Sequence, residues 1–292
     1  MNVLRSPADA EPAERAVAIG TFDGVHRGHR AVIEEAIRAG ARSAVVTFDP
    51  HPRSVLGYEV QLLTSLPRRL ELIGEVGPDD VLVVSFTREL ARLAPEAFAD
   101  AVLRPLGARV VVAGEGFRFG AGRRGDLELL GRLGFEARTV DLVGDVSSSR
   151  IRELLREGNV VAAAQLLGRP PEVEGVVVAG DQRGGTLGFP TANLSVAPDL
   201  LVPAYGIYAG EAVSPRGRYR TALSIGVNPH YGGVERRVEA FLLDFRGDLY
   251  GENVRLELWS RLRDERAFAS EQELVRQIAL DVEAARTASP PI

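Results

Sequence analysis

Gly20 to His29 reads Gly-Thr-Phe-Asp-Gly-Val-His-Arg-Gly-His, and it joins an apolar run, Ala16 to Ile19, to a helical pattern over Arg30 to Ala39. Gly20 and Gly24 permit backbone angles that other residues resist, so the stretch predicts strand, tight turn and helix in succession. His26 and His29 stand three apart, a separation that puts two side chains on one helical face. A helix N-terminus offers free N–H groups and the positive end of the dipole, so a phosphate is the expected guest. One histidine in such a turn is more often a hydrogen-bonded structural residue, and a second at this spacing shifts the weight towards a ligand site.

Working outward, apolar runs alternate with helical patterns as far as about Val143. Strands are expected at Ser43 to Phe48, Val81 to Phe86, Arg109 to Ala113 and Ala137 to Leu142, and helices at Leu66 to Gly74, Pro95 to Leu103 and Leu127 to Leu133. Runs such as Val81-Leu82-Val83-Val84 are apolar on both faces, as in a parallel sheet covered on each side by helices. Ligands in such sheets lie at the carboxyl ends of the strands. Polar clusters collect there: His26 and His29, then Asp49-Pro50-His51-Pro52, then Glu115 to Gly120, and last Ser147 to Arg152. This part is therefore expected to be an α/β, Rossmann-like domain.

The rhythm changes after a helix at Val160 to Leu167, because Gly168 ends it and Arg169-Pro170-Pro171-Glu172 cannot continue it. The domain boundary is placed there, giving 1–168 and 169–292. Strand-like runs follow at Val173 to Ala179, Tyr205 to Val213, Tyr219 to Val227, Arg236 to Phe245 and Val254 to Ser260, separated by turns bearing Gly and Pro. This spacing predicts an antiparallel β-barrel. Ser270 with Glu273 three residues on forms a capping box that opens a C-terminal helix running to about Ala285.

The 292 residues suit two domains, and 45% hydrophobic content is ample for a core in each. A net charge of -5 with interspersed signs provides no basic field for nucleic acid. There are no cysteines, which excludes disulfides, thiolate metal sites and a cysteine nucleophile. No apolar run reaches about 18 residues, and the charged N-terminus has no apolar segment of the kind a signal peptide carries. A cytoplasmic protein without a membrane partner is expected, as a monomer or weak homo-oligomer.

Three further motifs bear on chemistry. Ser147 to Arg152 follows a strand and opens a helix, so serine hydroxyls and early N–H groups suit a phosphate with Arg152 balancing its charge; a plain serine cap fits the same residues. Gly180 to Asn193 reads Gly-Asp-Gln-Arg-Gly-Gly-Thr-Leu-Gly-Phe-Pro-Thr-Ala-Asn. Its glycines allow close backbone approach to a ligand, and Thr191 and Asn193 supply oxygens for a hard cation such as Mg²⁺. It is not a Walker A loop, since Thr186 and Leu187 stand where Lys and Ser or Thr are needed. Glu239 shares a strand face with Phe241, Leu243 and Phe245 by alternation. There it is either a structural partner of Arg236 or Arg237 or a general base near a substrate hydroxyl.

The His-x-Gly-His block matches the signature of the nucleotidyltransferase superfamily, and Val146 to Arg152 resembles that superfamily's later Ile-Ser-Ser-Thr-x-x-Arg segment. From about Ala16 to Arg286 the chain resembles the prokaryotic bifunctional FAD synthetases, the riboflavin kinase/FMN adenylyltransferase family. The carriers are GTFDGVHRGH, VVTFDPHP at Val45 to Pro52, FRFG at Phe117 to Gly120, SSSRIR, LLGRP at Leu166 to Pro170 and LGFPTAN. They continue with YGIYAG at Tyr205 to Gly210, SIGVNP at Ser224 to Pro229, VEAFLLDFRGDLYG at Val238 to Gly251 and LRDE at Leu262 to Glu265.

The resemblance implies an N-terminal domain that transfers AMP from ATP to FMN and a C-terminal barrel that phosphorylates riboflavin with ATP and Mg²⁺. It implies that His26, His29 and Arg152 serve adenylyl transfer, with Gly20, Phe22, Asp23, Gly28, Ser147 and Ser148 at ATP and Asp49, Pro50, His51 and Phe117 at the flavin. For the kinase it implies Gly180, Gly188, Thr191 and Asn193 at ATP, Thr191 and Asn193 at the metal, and Glu239 as base. Three departures stand out: Gly116 where Asn or Asp commonly precedes the Phe-x-Phe-Gly segment, Gly185 where Arg or Lys is common, and His230-Tyr231 in place of Thr-Phe. Gly116 is the reason to keep a second reading, a riboflavin kinase with a weak or degenerate adenylyltransferase domain.

Overall fold

The computed structural model describes the chain except residues 41, 142–143, 181–182 and 228–235 and the side chains of Arg183 and Thr186. The His230-Tyr231 departure, the expected strand end at Leu142 and the Asp181-Gln182 part of the glycine-rich loop lie outside the described residues. Two compact units are present, Met1–Ser148 and Ser149–Ile292.

The first unit contains β1 (Asn2–Leu4), β2 (Arg15–Ile19), α1 (Arg27–Ala39), β3 (Ser43–Asp49), α2 (Pro52–Val55), α3 (Leu66–Val76) and β4 (Asp80–Ser85). The single turns α4 (Arg88–Ala91) and α5 (Pro95–Phe98) lead to β5 (Ala108–Gly114), α6 (Leu127–Arg132) and β6 (Glu136–Val140). The strands form one parallel sheet in the order β1-β4-β3-β2-β5-β6. Alternation along β2 divides the core: Val17 and Ile19 pack with Phe48, Phe98 and Leu130 on one face, and Ala16 and Ala18 with Phe22, Ile33 and Leu72 on the other. Both faces are thus apolar, which is why the strands read as continuous hydrophobic runs. β1 is an addition: three residues at the N-terminus, too short for any periodic signal.

At the amino ends of these strands Asp80, 1% exposed, collects the charges. It accepts from Arg15 Nε at 2.9 Å, from Arg42 Nε at 2.8 Å and Nη2 at 3.0 Å, and from Asn2 at 3.0 Å. Burial pushes this carboxyl up, but the hydrogen bonds from Arg42, Asn2 and Arg15 outweigh it and hold the group well below the usual carboxylate range. A group depressed on folding stabilises the fold above its unfolded pKa, near 4, and that stability is lost as pH falls towards the folded value. Asp80→Asn strands the buried Arg15 and is expected to cost about 3–5 kcal/mol at pH 7 in urea unfolding. The gap to wild type should narrow below about pH 4.

The second unit opens with α7 (Ser148–Arg156), which straddles the division, and α8 (Val160–Leu167), closed by Gly168 at φ 77°. It continues with β7 (Glu172–Val178), α9 (Arg183–Thr186), β8 (Ala192–Ser195), β9 (Gly206–Ser214), β10 (Gly217–Val227), β11 (Arg236–Leu242), β12 (Asn253–Arg263) and α10 (Glu271–Thr287). The six strands close into an antiparallel barrel in the order β10-β11-β8-β7-β12-β9. Its interior is filled by Tyr208, Leu223, Ile225, Val238, Ala240, Leu256 and Leu258. The linker expected at Arg169 to Glu172 runs straight into β7, while Ala204 donates to Leu155 at 2.9 Å and so ties α7 to the barrel unit. α10 is capped by Ser270, which accepts from Glu273 N–H at 3.2 Å, and is pinned to β12 by Arg263 and the buried Asp281 at 2.6 to 3.1 Å.

One expected strand ends early and one strand was not expected. β11 ends at Leu242 rather than Phe245, because Asp244 turns into the left-handed region at φ 61°; Glu239 and Phe241 keep one face, but Leu243 and Phe245 are not on the strand. β8 is also new: four residues that begin at the end of the glycine-rich signature and run past it to Ser195 form a barrel strand paired on both sides.

Candidate active sites

The first site is built at the carboxyl ends of β2 and β3. Beyond Ile19, the Phe22 ring tucks under Gly20, where a Cβ would stand 3.3 Å from it and press on the ring. Phe22 (φ 51°) and Val25 (φ 38°) both lie at positive φ, and for a β-branched valine that is a strained conformation held by its surroundings. Asp23 supplies part of that hold: fully buried, its carboxylate accepts from Leu63 N–H at 3.0 Å and Thr64 N–H at 3.2 Å, and Ser148 Oγ donates to its carbonyl at 3.0 Å.

His26 caps α1 rather than riding on it. Its φ/ψ of -70°/173° is extended, and its Nδ1 accepts from the His29 N–H at 3.2 Å, so the helix starts at Arg27, earlier than the expected Arg30. The two imidazoles stack with centroids 3.5 Å apart and planes 15° from parallel, and Phe22 meets His29 edge-on at 5.2 Å. An accepting Nδ1 puts the proton of a neutral His26 on Nε2, which is its donor. Gly28 is buried in the first turn, and that turn holds no acidic residue to compete with an anion.

Of the expected flavin residues, Asp49 ends β3 and Pro50 follows it, while His51 is 7% exposed and caps α2, accepting from Arg53 N–H at 3.2 Å. Phe117 stacks on Phe119 at 5.7 Å and belongs to the aromatic group with Phe48 and Phe98. Gly116 sits at φ 71° with open space where a side chain would be. Ser147 precedes α7 in this unit; Arg152 lies on the part of α7 in the second unit, 9% exposed.

The second site is brought together by the barrel register. Asn193 of β8 is paired with Val178 of β7 on one side and Glu239 of β11 on the other. Directly opposed residues of an antiparallel pair have their Cβ atoms about 4.5–5.5 Å apart, so Asn193 and Glu239 are neighbours on one face. Thr191 Oγ1 donates to the Glu239 carboxylate at 3.5 Å, and Phe189 meets Phe241 edge-on at 5.5 Å. A Cβ on Gly180 would collide with the Asn193 amide, and one on Gly184 with the Phe189 carbonyl. Gly188, at φ 86°, turns the chain into this segment, and Gly185 faces open space. Arg236, one of the two alternative partners of Glu239, donates instead to the Val202 carbonyl at 3.1 Å and lies over the Tyr205 ring.

Two residues escaped the sequence reading. Glu265 lies against β10, where a Cβ on Gly226 would strike its carboxylate; burial and then the neighbouring Glu239 push it up, against Arg263. Its position follows from a loop that only the closed barrel brings back. Arg69 on α3 is fully buried, and its spacing to Leu72 and Ile73 on the apolar face was the available signal.

The chain thus carries two separate polar groupings, two stacked imidazoles at a strand-to-helix turn of the parallel sheet and hydroxyl, amide and carboxylate oxygens on one face of the barrel. Residues 8–152 match the FAD synthetase family and residues 167–289 the riboflavin kinase family. A bifunctional riboflavin kinase/FMN adenylyltransferase of Listeria monocytogenes is 36% identical over 91% of this chain and 90% of its own. A protein of the same description from Escherichia coli is 36% identical over 94% and 93%. A crystal structure from Streptococcus pneumoniae described as a macrolide-efflux protein superposes with a TM-score of 0.89 at 31% identity, covering 98% of this chain and 99% of that one. Among the described residues no helix is long and apolar enough to cross a membrane. The chain belongs to the bifunctional riboflavin kinase/FMN adenylyltransferase family.

Proposed function

We infer that the chain makes FAD from riboflavin in two steps, each consuming ATP. In the barrel, the riboflavin 5′-hydroxyl attacks the γ-phosphate of ATP, giving FMN and ADP. In the α/β unit, a phosphate oxygen of FMN attacks the α-phosphate of a second ATP, giving FAD and pyrophosphate. The observation that carries this reading is the convergence of Thr191, Asn193 and Glu239 across β8 and β11, in a chain that also bears the stacked His26–His29 pair.

For adenylyl transfer, His26 Nε2–H and His29 donate to the phosphates, the hydroxyls of Ser147 and Ser148 add hydrogen bonds, and Arg152 balances the charge. Such donors lower the barrier by gripping the equatorial oxygens most strongly as charge builds on them. Gly20, Phe22 and Asp23 shape the turn that carries the pair, and Asp49, Pro50, His51 and Phe117 receive the flavin. The functional division is 1–168 for adenylyl transfer and 169–292 for the kinase.

In the barrel, Glu239 accepts the proton of the 5′-hydroxyl, while the Gly180 and Gly188 backbone approaches ATP. The oxygens of Thr191 and Asn193 suit Mg²⁺, a hard cation that takes most of its shell from phosphates and water. Bound there, Mg²⁺ neutralises phosphate charge. The expected working form is a monomer or weak oligomer in the cytoplasm.

The deciding assay incubates the full chain with riboflavin, ATP and Mg²⁺, with FMN expected to appear first and FAD after it. FMN that accumulates and never becomes FAD favours the second reading, a kinase with a degenerate first domain, which rests on Gly116. In that case Gly116→Asn is the informative variant, because asparagine tolerates the φ of 71° and the site has room for it.

A further inference from the structure

Arg69 is a fully buried charged side chain of the first unit that the mechanism leaves unused. It is 0% exposed on α3, among Leu72 and Ile73, which are equally buried. Its Nη1 donates to the Phe48 carbonyl at 3.1 Å, at the carboxyl end of β3, yet Nε and Nη2 have no hydrogen-bond partner among the described residues. Burial pushes this guanidinium down, while Asp23 and then Asp49 draw it up. Those carboxylates stand on the two connections that form the site: Asp23 in the β2–α1 turn that carries His26 and His29, and Asp49 at the head of the Pro50-His51 segment.

As a packing element this residue is costly. Leucine or methionine would fill the same apolar space without stripping water from a cation and leaving two of its nitrogens bare. A lysine here would shed its proton more readily, whereas arginine stays charged when buried. What an arginine alone contributes is a lasting positive charge within electrostatic reach of Asp23 and Asp49, with a planar donor on the Phe48 carbonyl near the end of β3.

We propose that Arg69 is a positioning residue for adenylyl transfer: its buried charge and its bond to Phe48 lock the β2–α1 and β3–α2 connections in one relative placement, and so set the imidazole pair against the flavin phosphate. The proposal rests on the adenylyltransferase reading above. Arg69 touches no reacting atom itself, so its loss displaces groups rather than removing one, and a displacement near 1 Å costs about 10²-fold in rate.

The test compares Arg69→Met and Arg69→Lys in the full chain. For Arg69→Met, kcat for FMN-to-FAD conversion should fall by about 10- to 100-fold with KM for ATP changed less than about threefold, while FMN formation stays within about twofold of wild type. Amide hydrogen exchange, read without substrates, should rise at Leu63, Thr64 and Arg53, whose N–H groups anchor these connections, and not in β5. Arg69→Lys should recover part of the rate and of the protection. The exchange readout stands even if the wild-type chain makes no FAD, an outcome that would overturn the adenylyltransferase reading but not the locking role. Wild-type exchange and turnover in Arg69→Met would overturn the proposal. So would a lysine variant no better than the methionine one, or loss of both activities together with an early melt, since each assigns Arg69 to packing. If Arg69→Met fails to fold, Arg69→Gln is measured against the same outcomes.

Discussion

Glu239→Gln is expected to phosphorylate riboflavin about 10²- to 10⁴-fold more slowly than the wild-type chain, the range for a lost general base, while melting at nearly the same temperature. Glutamine keeps the shape and can still accept from Thr191, but it cannot take the proton of the 5′-hydroxyl. The structural alternative, a carboxylate present to pair with Arg236 or Arg237, makes the opposite forecast. Breaking a buried pair costs about 3–5 kcal/mol, so the barrel would melt early and the folded fraction would retain near-normal turnover. Glu239 is half-buried with Thr191 as its hydroxyl partner, and the engagement of Arg236 with Val202 leaves Arg237 as the partner the structural account needs. Melting temperature and both activities measured on one preparation separate the accounts. FMN-to-FAD conversion in the same sample should be intact, and a folded variant with full kinase turnover would falsify the assignment.

His29→Ala should depress FAD formation by about 10²- to 10³-fold, the loss seen when one preorganised oxyanion donor is removed, with FMN formation unchanged. The geometry makes this the cleaner histidine to remove. The bond that caps α1 runs from the His29 backbone N–H to His26 Nδ1, and alanine at 29 keeps that N–H. His26→Ala would remove donor and cap together, adding a stability loss of about 1 kcal/mol that blurs the kinetic result. What His29→Ala does lose is the ring stacked on His26 and set edge-on by Phe22. Equal loss of both activities in a folded His29→Ala chain would contradict the division of labour between the units.

The legible parts of this protein were those encoded by local repetition. β2 to β5 announce themselves as apolar runs because both faces of a parallel sheet are covered there, and α10 through the Ser270–Glu273 box. The failures are equally specific. α1 began earlier than expected because a histidine took the place of the usual Ser, Thr, Asp or Asn cap. β11 ended earlier because the positive φ of Asp244 leaves no mark in an apolar run. β1 and β8 were missed because three or four residues carry no measurable period, and β8 earns its place only through neighbours far along the chain.

The sequence by itself determined two fold classes, the residue types of both candidate sites and, through motif resemblance, the family. These follow from periodicity and from short contiguous blocks, which survive in one dimension. Only the tertiary structure decided that Asn193 lies across from Glu239, that Glu265 comes back against β10, that Asp23 bolts the first turn to Thr64, and that Arg69 sits dry beside Phe48. Each of these depends on register or burial between segments distant in sequence. Register is set by the whole hydrophobic pattern of paired strands, and a shift of one residue would turn every side chain to the other face.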